Sequence, residues 1–394
     1  MLNRKLVITA KDGFVRYGYF ADGQPVELYG EPEQRTSLVG NIYAARVEKM
    51  AEGINGAFLE IDKGKKCYFP LSGKPPVKLT PGHKDRLVGG DVILLQITKD
   101  AVKTKLPVGS GNVSIDGKYF VLTLVDRRSG ISRKITNGQE RKRLTEFLKP
   151  HKEDGFGVVV RTNAEGISEE ELTADIVSLK ERYRELMRKA GFAEGRTLLY
   201  EEPPYYITLG KELPKEELEE IVTDNRPIYD QLKSYYPEES NGAAANKIRF
   251  YPEEYPLEKL YRMDHFYEEA LQKLVWLKSG GSLVIEHTEA MTVIDVNTAG
   301  VTKKKRKGKK VFFEMNLEAA KEIARQLRLR NISGIIVIDF INMELEKEKE
   351  ALLAYLDEEC RKDRVRCRVA GITTLGLVEM TRDKGRKPLY EQLR

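Results

Sequence analysis

Cysteine is scarce in this 394-residue chain, where Cys67, Cys360 and Cys367 are the only three. They make neither an even disulfide set nor the C-x-x-C spacing of a zinc site. A disulfide-stapled secreted fold is thereby excluded, and a reducing cytosol is the expected setting. Histidine is almost as rare: His83, His151, His265 and His287 show no ligand spacing and are assigned no role. No run approaches the roughly 18 apolar residues that a membrane helix needs. The N-terminal MLNRKLVITA has charges on both sides of one short apolar stretch, which does not make a signal-peptide core. No membrane span is expected, and the cytoplasm is the expected location. An internal repeat is lacking, and so is an excess of one charge: 67 Lys and Arg face 61 Asp and Glu. A formal net charge of +6 says little about partners. One low-complexity tract breaks the balance, KKKRKGKK at 303–310, with seven cations and one glycine.

At about 150 residues per domain, the length suggests two or three folding units. The chain opens as strands: KLVITA, FVRYGYF with Val15, Tyr17 and Tyr19 alternating, an Asp22-Gly23 turn, and PVELY. From Gly40, short strands broken by glycine-containing turns, followed by GGDVILLQITKD, predict a small antiparallel barrel. Phe58, Tyr68 and Phe69 lie there among Lys63, Lys65 and Lys66, the composition of a base-stacking platform. Burial in the barrel core competes with that role for Phe58 and Phe69, because most aromatics are buried.

GKYFVLTLV and GFGVVVRTNAEG predict further strands, with Arg161 and Thr162 emerging where VVVR ends. A helix from Ser168 to Ala190 starts with a capping signature. ELPKEELEEIV reads as an acidic helix, and MDHFYEEALQKLVWL as a helix with Phe266, Leu271, Leu274 and Val275 on an apolar stripe. Beyond Gly280 the pattern alternates. Strands SLVIEH and MTVIDV pair across TEA, then come the basic tract, a helix over about 317–330, and the strand GIIVIDFI. The helix ALLAYLDEECRKD and strands VRCRVA and GLVEMTR follow.

Asp295 ends the apolar run MTVI and Asp339 ends GIIVI, so two carboxylates are expected at the ends of neighbouring strands, where sites collect in such sheets. Hard oxygen ligands from one or two carboxylates, completed by water, are what Mg²⁺ selects. Asn297 is placed to orient one of them by hydrogen bonding. Each aspartate alone is commonly no more than an Asx turn. Their repetition, I-D-V-N and I-D-F-I-N, beside a tract able to hold a phosphate backbone, favours phosphodiester chemistry.

TEAMTVIDVNT, NLEAAKEIARQLRLRNISGIIVIDFINM and GLVEMTR, in this order, resemble the nuclease core of the ribonuclease E/G family. GNIYAARV and GAFLEI resemble that family's RNA-binding OB domain, and GISRKI and VVVRT its sensor of the RNA 5′ end. The resemblance implies an α+β multidomain chain: a split RNase H-like domain (1–36 and 204–272), an inserted OB-fold barrel (37–112), a 5′ sensor (113–203) and a DNase I-like catalytic subdomain (273–394). It implies a metal-dependent endoribonuclease of single-stranded RNA acting in mRNA turnover and rRNA maturation, leaving 5′-phosphate and 3′-hydroxyl ends and favouring 5′-monophosphorylated substrates. Asp295 and Asp339 match the Mg²⁺ ligands, with Mn²⁺ as an alternative, and Asn297 matches the residue that orients them. Gly117, Val121, Arg161, Thr162 and Arg366 match the 5′-phosphate pocket. Phe58 and Tyr68 match the base-contacting aromatics, and either Lys103 or Lys105 their basic partner. Tyr68 stands where Phe is usual, a change that stacking tolerates.

Two departures accompany the resemblance. The sequence stops at PLYEQLR, before the family's cysteine-pair zinc link and small dimerising domain, so no zinc and no zinc-linked dimer are expected. Asn342 stands where an aspartate is common. The alternative is a non-catalytic RNA-binding protein on the same scaffold, and product formation separates the two.

Overall fold

The computed structural model describes residues 4–34, 37–72, 75–80, 86–101, 105–213, 218–236, 247–298, 309–383 and 386–393. The chain divides into two compact units. One comprises Met1–Gln34, Glu217–Lys233 and Lys247–Arg394, and the other Arg35–Glu216 with Ser234–Asn246.

The first unit begins with a meander of Arg4–Lys11, Phe14–Ala21 and Gln24–Pro32. Both reversals are two-residue Asp-Gly turns, Asp12-Gly13 and Asp22-Gly23, in which all four φ angles are positive. That backbone matches the twist of the flanking strands, which is why Asp-Gly is favoured there. Glu220–Thr223 then joins Arg4–Lys11 in parallel register, Leu6 opposite Ile221, and Ile248–Phe250 completes five strands. The acidic helix expected over ELPKEELEEIV therefore does not run to its end. Ile221, Val222 and Thr223 are β-branched and fully buried in the middle of a sheet, and tertiary pairing overrides the helical preference of the glutamates before them.

A second sheet in this unit carries the order Leu274–Trp276, Ser282–His287, Met291–Asn297, Gly334–Asp339, Val378–Arg382, Cys367–Ile372. The helices Lys309–Leu329 and Glu346–Arg361 supply Ala320, Ile323, Leu327, Leu352 and Leu356 to one core with Ile294, Val296, Ile336 and Ile338. On the other face Val293 and Ile335 are exposed, so the sheet is covered on one side among the described residues. The predicted helix MDHFYEEALQKLVWL is shorter than expected and ends at Leu271. Leu274–Trp276 is instead an edge strand paired with Ser282–His287, and the proposed stripe fails because Leu271 and Leu274 are 45% and 42% exposed. The helix predicted over about 317–330 starts earlier, at Lys309.

Buried ion pairs hold the loop that follows Glu346–Arg361. Arg382, the last residue of GLVEMTR, donates from Nε to Asp363 Oδ2 at 2.9 Å, and each side chain is only 2% exposed. Arg364, which follows Asp363, donates to both Glu27 carboxylate oxygens, and Tyr29 adds a hydroxyl donor to Glu27 at 2.8 Å. Burial pushes the Glu27 carboxyl up, but Arg364 and Tyr29 outweigh it and leave the group below the usual carboxylate range.

In the second unit, Ile42–Ala51, Gly56–Asp62, Lys65–Pro70, Val108–Ser110 and Val92–Lys99 follow one another around a ring. It closes where Val92–Lys99 pairs back onto Ile42–Ala51, and Tyr68 and Val108 form its single parallel step. This is an OB-like five-stranded barrel. Its core includes Val47, Leu59, Ile61, Cys67, Phe69, Ile93 and Leu95. Burial pushes the Cys67 thiol up to about 12, so it serves as a packing residue and not a nucleophile. The rest of the unit is a four-stranded sheet, ordered Gly130–Ile131, Gly157–Val160, Phe120–Thr123, Ser114–Asp116. It is packed by the helices Gly138–Leu148 and Glu169–Gly191. Ser168 caps the second helix through the Glu171 amide, as its sequence predicts. No helix among the described residues is long and apolar enough to cross a membrane.

Candidate active site

Asp295 and Asp339 are register partners on adjacent parallel strands, which sets their backbones about 4.8 Å apart. The alternation that buries Ile294, Val296 and Ile338 against the helices turns both carboxylates to the open face. The strand carrying Asp295 continues to Asn297, two residues on and on the same face. The Asn297 Nδ2 donates to Asp295 Oδ2 at 2.7 Å and fixes that carboxylate's orientation.

One positioning residue escapes sequence reasoning. Asn316, fully buried in Lys309–Leu329, donates to the Ile341 carbonyl at 2.7 Å and accepts from the Ile341 amide at 3.1 Å. It clamps the backbone two residues past Asp339. Asparagine is a poor helix-interior residue, and its place in NLEAAKEIARQ was the available signal. Asn316→Ala leaves two backbone groups unpaired and is expected to cost about 1–3 kcal/mol. Thermal unfolding measures that loss, and a parallel fall in activity would show that the clamp serves the adjoining aspartate.

The donor set at this site is two carboxylates and an amide, hard oxygen chemistry that suits Mg²⁺ or Mn²⁺. Among the described residues no three His, Cys, Asp or Glu side chains cluster as a metal site. Two carboxylates with water are enough for Mg²⁺. Asn342 is exposed three residues beyond Asp339. Within the basic tract, residues 303–308 lie outside the described residues.

Gly117, Val121, Arg161 and Thr162 gather on the four-stranded sheet of the second unit. Val121 pairs with both Asp116 and Val159, and the Arg161 amide donates to the Tyr119 carbonyl at 2.8 Å. Gly117 has no room for a side chain, because a Cβ there would lie 2.6 Å from Leu179. The Thr162 hydroxyl is 2.9 Å from that of Ser132. Arg366 belongs to the first unit and is exposed, with its carbonyl accepting from the Asp383 amide.

On the barrel, Phe58 and Tyr68 are cross-strand partners with ring centroids 6.2 Å apart, edge to face. Both are half-buried and alternate with inward Ala57, Leu59, Cys67 and Phe69. Phe69 thus belongs to the core, while Phe58 does not. Gly56 makes space for the tyrosine, since a Cβ there would fall 2.2 Å from its ring. Lys105 is exposed, and Lys103 lies outside the described residues. Lys65 and Lys66 are engaged by Asp62 and Glu48.

Comparison with known proteins gives these features a common frame. The model of the Ribonuclease E/G family matches residues 114–385. Over its whole length the chain is 32% identical to Ribonuclease G of Escherichia coli (strain K12), covering 82% of that protein. It is 30% identical to Ribonuclease G of Haemophilus influenzae, over 99% of this chain and 81% of the relative. Ribonuclease E of a Nostoc species is 33% identical over 90% of this chain and 52% of the relative. The OB-like barrel and these relatives define the class: the chain is an endoribonuclease, a hydrolase of RNA. It belongs to the ribonuclease E/G family.

Proposed function

We propose that the chain cleaves single-stranded RNA in mRNA turnover and rRNA maturation in the cytoplasm, with a divalent cation held by Asp295 and Asp339. The observation that carries this is the register pairing of the two aspartates on an open sheet face, with Asn297 bonded to one of them. Mg²⁺ suits the donor set best, and Mn²⁺ is the alternative. When bound, the cation supplies charge neutralisation at the scissile phosphodiester and favours ionisation of attacking water. The protein's own part is placement. Asp295 and Asp339 hold the cation, Asn297 and Asn316 keep the two carboxylates in position, and Phe58 and Tyr68 stack unpaired bases. Either Lys105 or Lys103 neutralises the RNA backbone. Such in-line hydrolysis leaves a 5′-phosphate and a 3′-hydroxyl. Mapping the product ends tests it: a 3′-phosphate or cyclic phosphate would contradict it.

The same reading divides the chain into RNase H-like segments 1–36 and 204–272, an OB insert 37–112, a 5′ sensor 113–203 and a DNase I-like subdomain 273–394. Arg161 and Thr162, beside Gly117 and Val121, serve as the contacts for a 5′-monophosphate, whose charge and three oxygens suit a guanidinium fork. Arg161→Ala is expected to remove most of any rate advantage of 5′-monophosphorylated over 5′-hydroxyl RNA. Paired cleavage rates on the two substrates measure it, and an undiminished advantage would exclude Arg161 from the sensor.

A further inference from the structure

Arg161 already has an anionic partner. Its Nη2 lies 2.8 Å from Oδ2 of Asp116, whose side chain is 58% exposed. We infer that Asp116 sets how strongly this enzyme responds to a 5′-phosphate, by occupying the Arg161 guanidinium until a phosphate displaces it. This rests on the proposed role of Arg161 as the 5′-end contact.

The surroundings keep the carboxylate where it is. Asp116 ends the strand Ser114–Asp116, opposite Val121, and its carbonyl accepts from Arg182 at 2.8 Å. Gly117 follows, with its amide donating to the Phe120 carbonyl and with Leu179 and Asp175 packed where a Cβ would stand. The amides of Lys118, Tyr119 and Phe120 all donate to the Asp175 carboxylate, at 2.9, 2.7 and 3.2 Å. These three backbone donors are therefore already committed. Recognition of a phosphate at this end of the sheet falls to side chains, and Arg161 is the cation Asp116 holds.

Asp116 meets the guanidinium at Nη2 as an exposed ion pair, whereas a phosphate can take its fork with two parallel bonds. A 5′-monophosphate carries about −1.5 to −2 charges near neutral pH, so it can win the exchange. Having won, it still sits beside a carboxylate of like sign. A 5′-hydroxyl gains nothing from the guanidinium and pays nothing to Asp116. The ion pair thus acts on phosphorylated ends alone and lowers the advantage they would otherwise have.

The test is the ratio of cleavage rates on one unstructured RNA bearing either a 5′-monophosphate or a 5′-hydroxyl. It is measured for the wild type, Asp116→Asn, Arg161→Ala and the double variant, with thermal unfolding of each as a check on folding. Asparagine keeps the size of the side chain and removes its charge. The ratio is expected to rise about two- to fivefold in Asp116→Asn, the worth of an exposed ion pair. That gain should shrink as salt is raised and vanish when Arg161 is also replaced. A ratio in Asp116→Asn equal to or below that of the wild type, with Arg161→Ala still abolishing the wild-type preference, would overturn the role of Asp116 and leave the sensor standing. If neither the wild type nor Asp116→Asn distinguishes the two ends, both the sensor and the Asp116 inference fall.

Discussion

Asp295→Asn and Asp339→Asn are each expected to reduce RNA cleavage by at least about 10²–10³-fold, the usual cost of removing one preorganised electrostatic group from a reacting centre. Asparagine preserves shape and leaves a neutral oxygen in place of a charged one, so the loss falls on cation holding. Neither aspartate contributes to the apolar core, whose members Ile294, Val296, Ile336 and Ile338 lie on the opposite face. The unfolding midpoint should therefore move little, since surface changes away from special features usually stay within about 0.5 kcal/mol. RNA binding should persist, because base stacking and backbone neutralisation are assigned to Phe58, Tyr68 and the lysines. Cleavage rate, unfolding and binding measured on the same preparations check all three parts. Normal turnover by either variant would remove the pair from the active site.

Arg382→Ala should have the largest effect on stability, about 3–5 kcal/mol, because it strands a buried carboxylate. Asp363 is 2% exposed and has Arg382 as its guanidinium partner, which also bonds Asn331 and the Ile332 carbonyl. Replacing Asp363 and Arg382 together by apolar residues should recover much of the loss, since the penalty lies in the unpaired charge. Chemical denaturation of the single and double variants measures both. The neighbouring Glu27 adds a pH dependence of definite sign. Its folded pKa is depressed, so its stabilising contribution is present above the ordinary carboxylate range and is lost as pH falls through the lowered value.

Much of this architecture was legible in the sequence. The Asp22-Gly23 turn between alternating apolar runs announced the opening hairpin, and short glycine-punctuated strands announced the barrel. The two carboxylates were visible as polar residues closing apolar β-branched runs, MTVI and GIIVI, on strands expected to be neighbours; the parallel register that makes them partners is set by the sheet and not by local pattern. Other elements were hidden for physical reasons. ELPKEELEEIV has a helical composition, yet Glu220–Thr223 enters as an interior strand because a place between two strands offers its β-branched residues full burial. Leu274–Trp276 continues an apparent helical stripe, but the Gly280-Gly281 reversal delivers it to Ser282–His287, and cross-strand pairing prevails. Arg161 stood out only as a residue emerging where VVVR ends, and resemblance alone gave it a role; its partner Asp116 depends on strand register, which local pattern does not encode. Asn316 was hidden for the opposite reason. Its importance lies in a backbone contact 25 residues away, and helix periodicity is blind to that.

The central claim is that Asp295 and Asp339 hold the cation on which cleavage depends. The most direct measurement incubates a labelled, unstructured RNA with the purified protein in chelator and in chelator followed by excess Mg²⁺, and resolves the products by size. Discrete fragments that appear only after Mg²⁺ is supplied, and that fail to appear with Asp295→Asn, are the predicted result. Fragments formed equally well in chelator, or by the variant, would contradict the account.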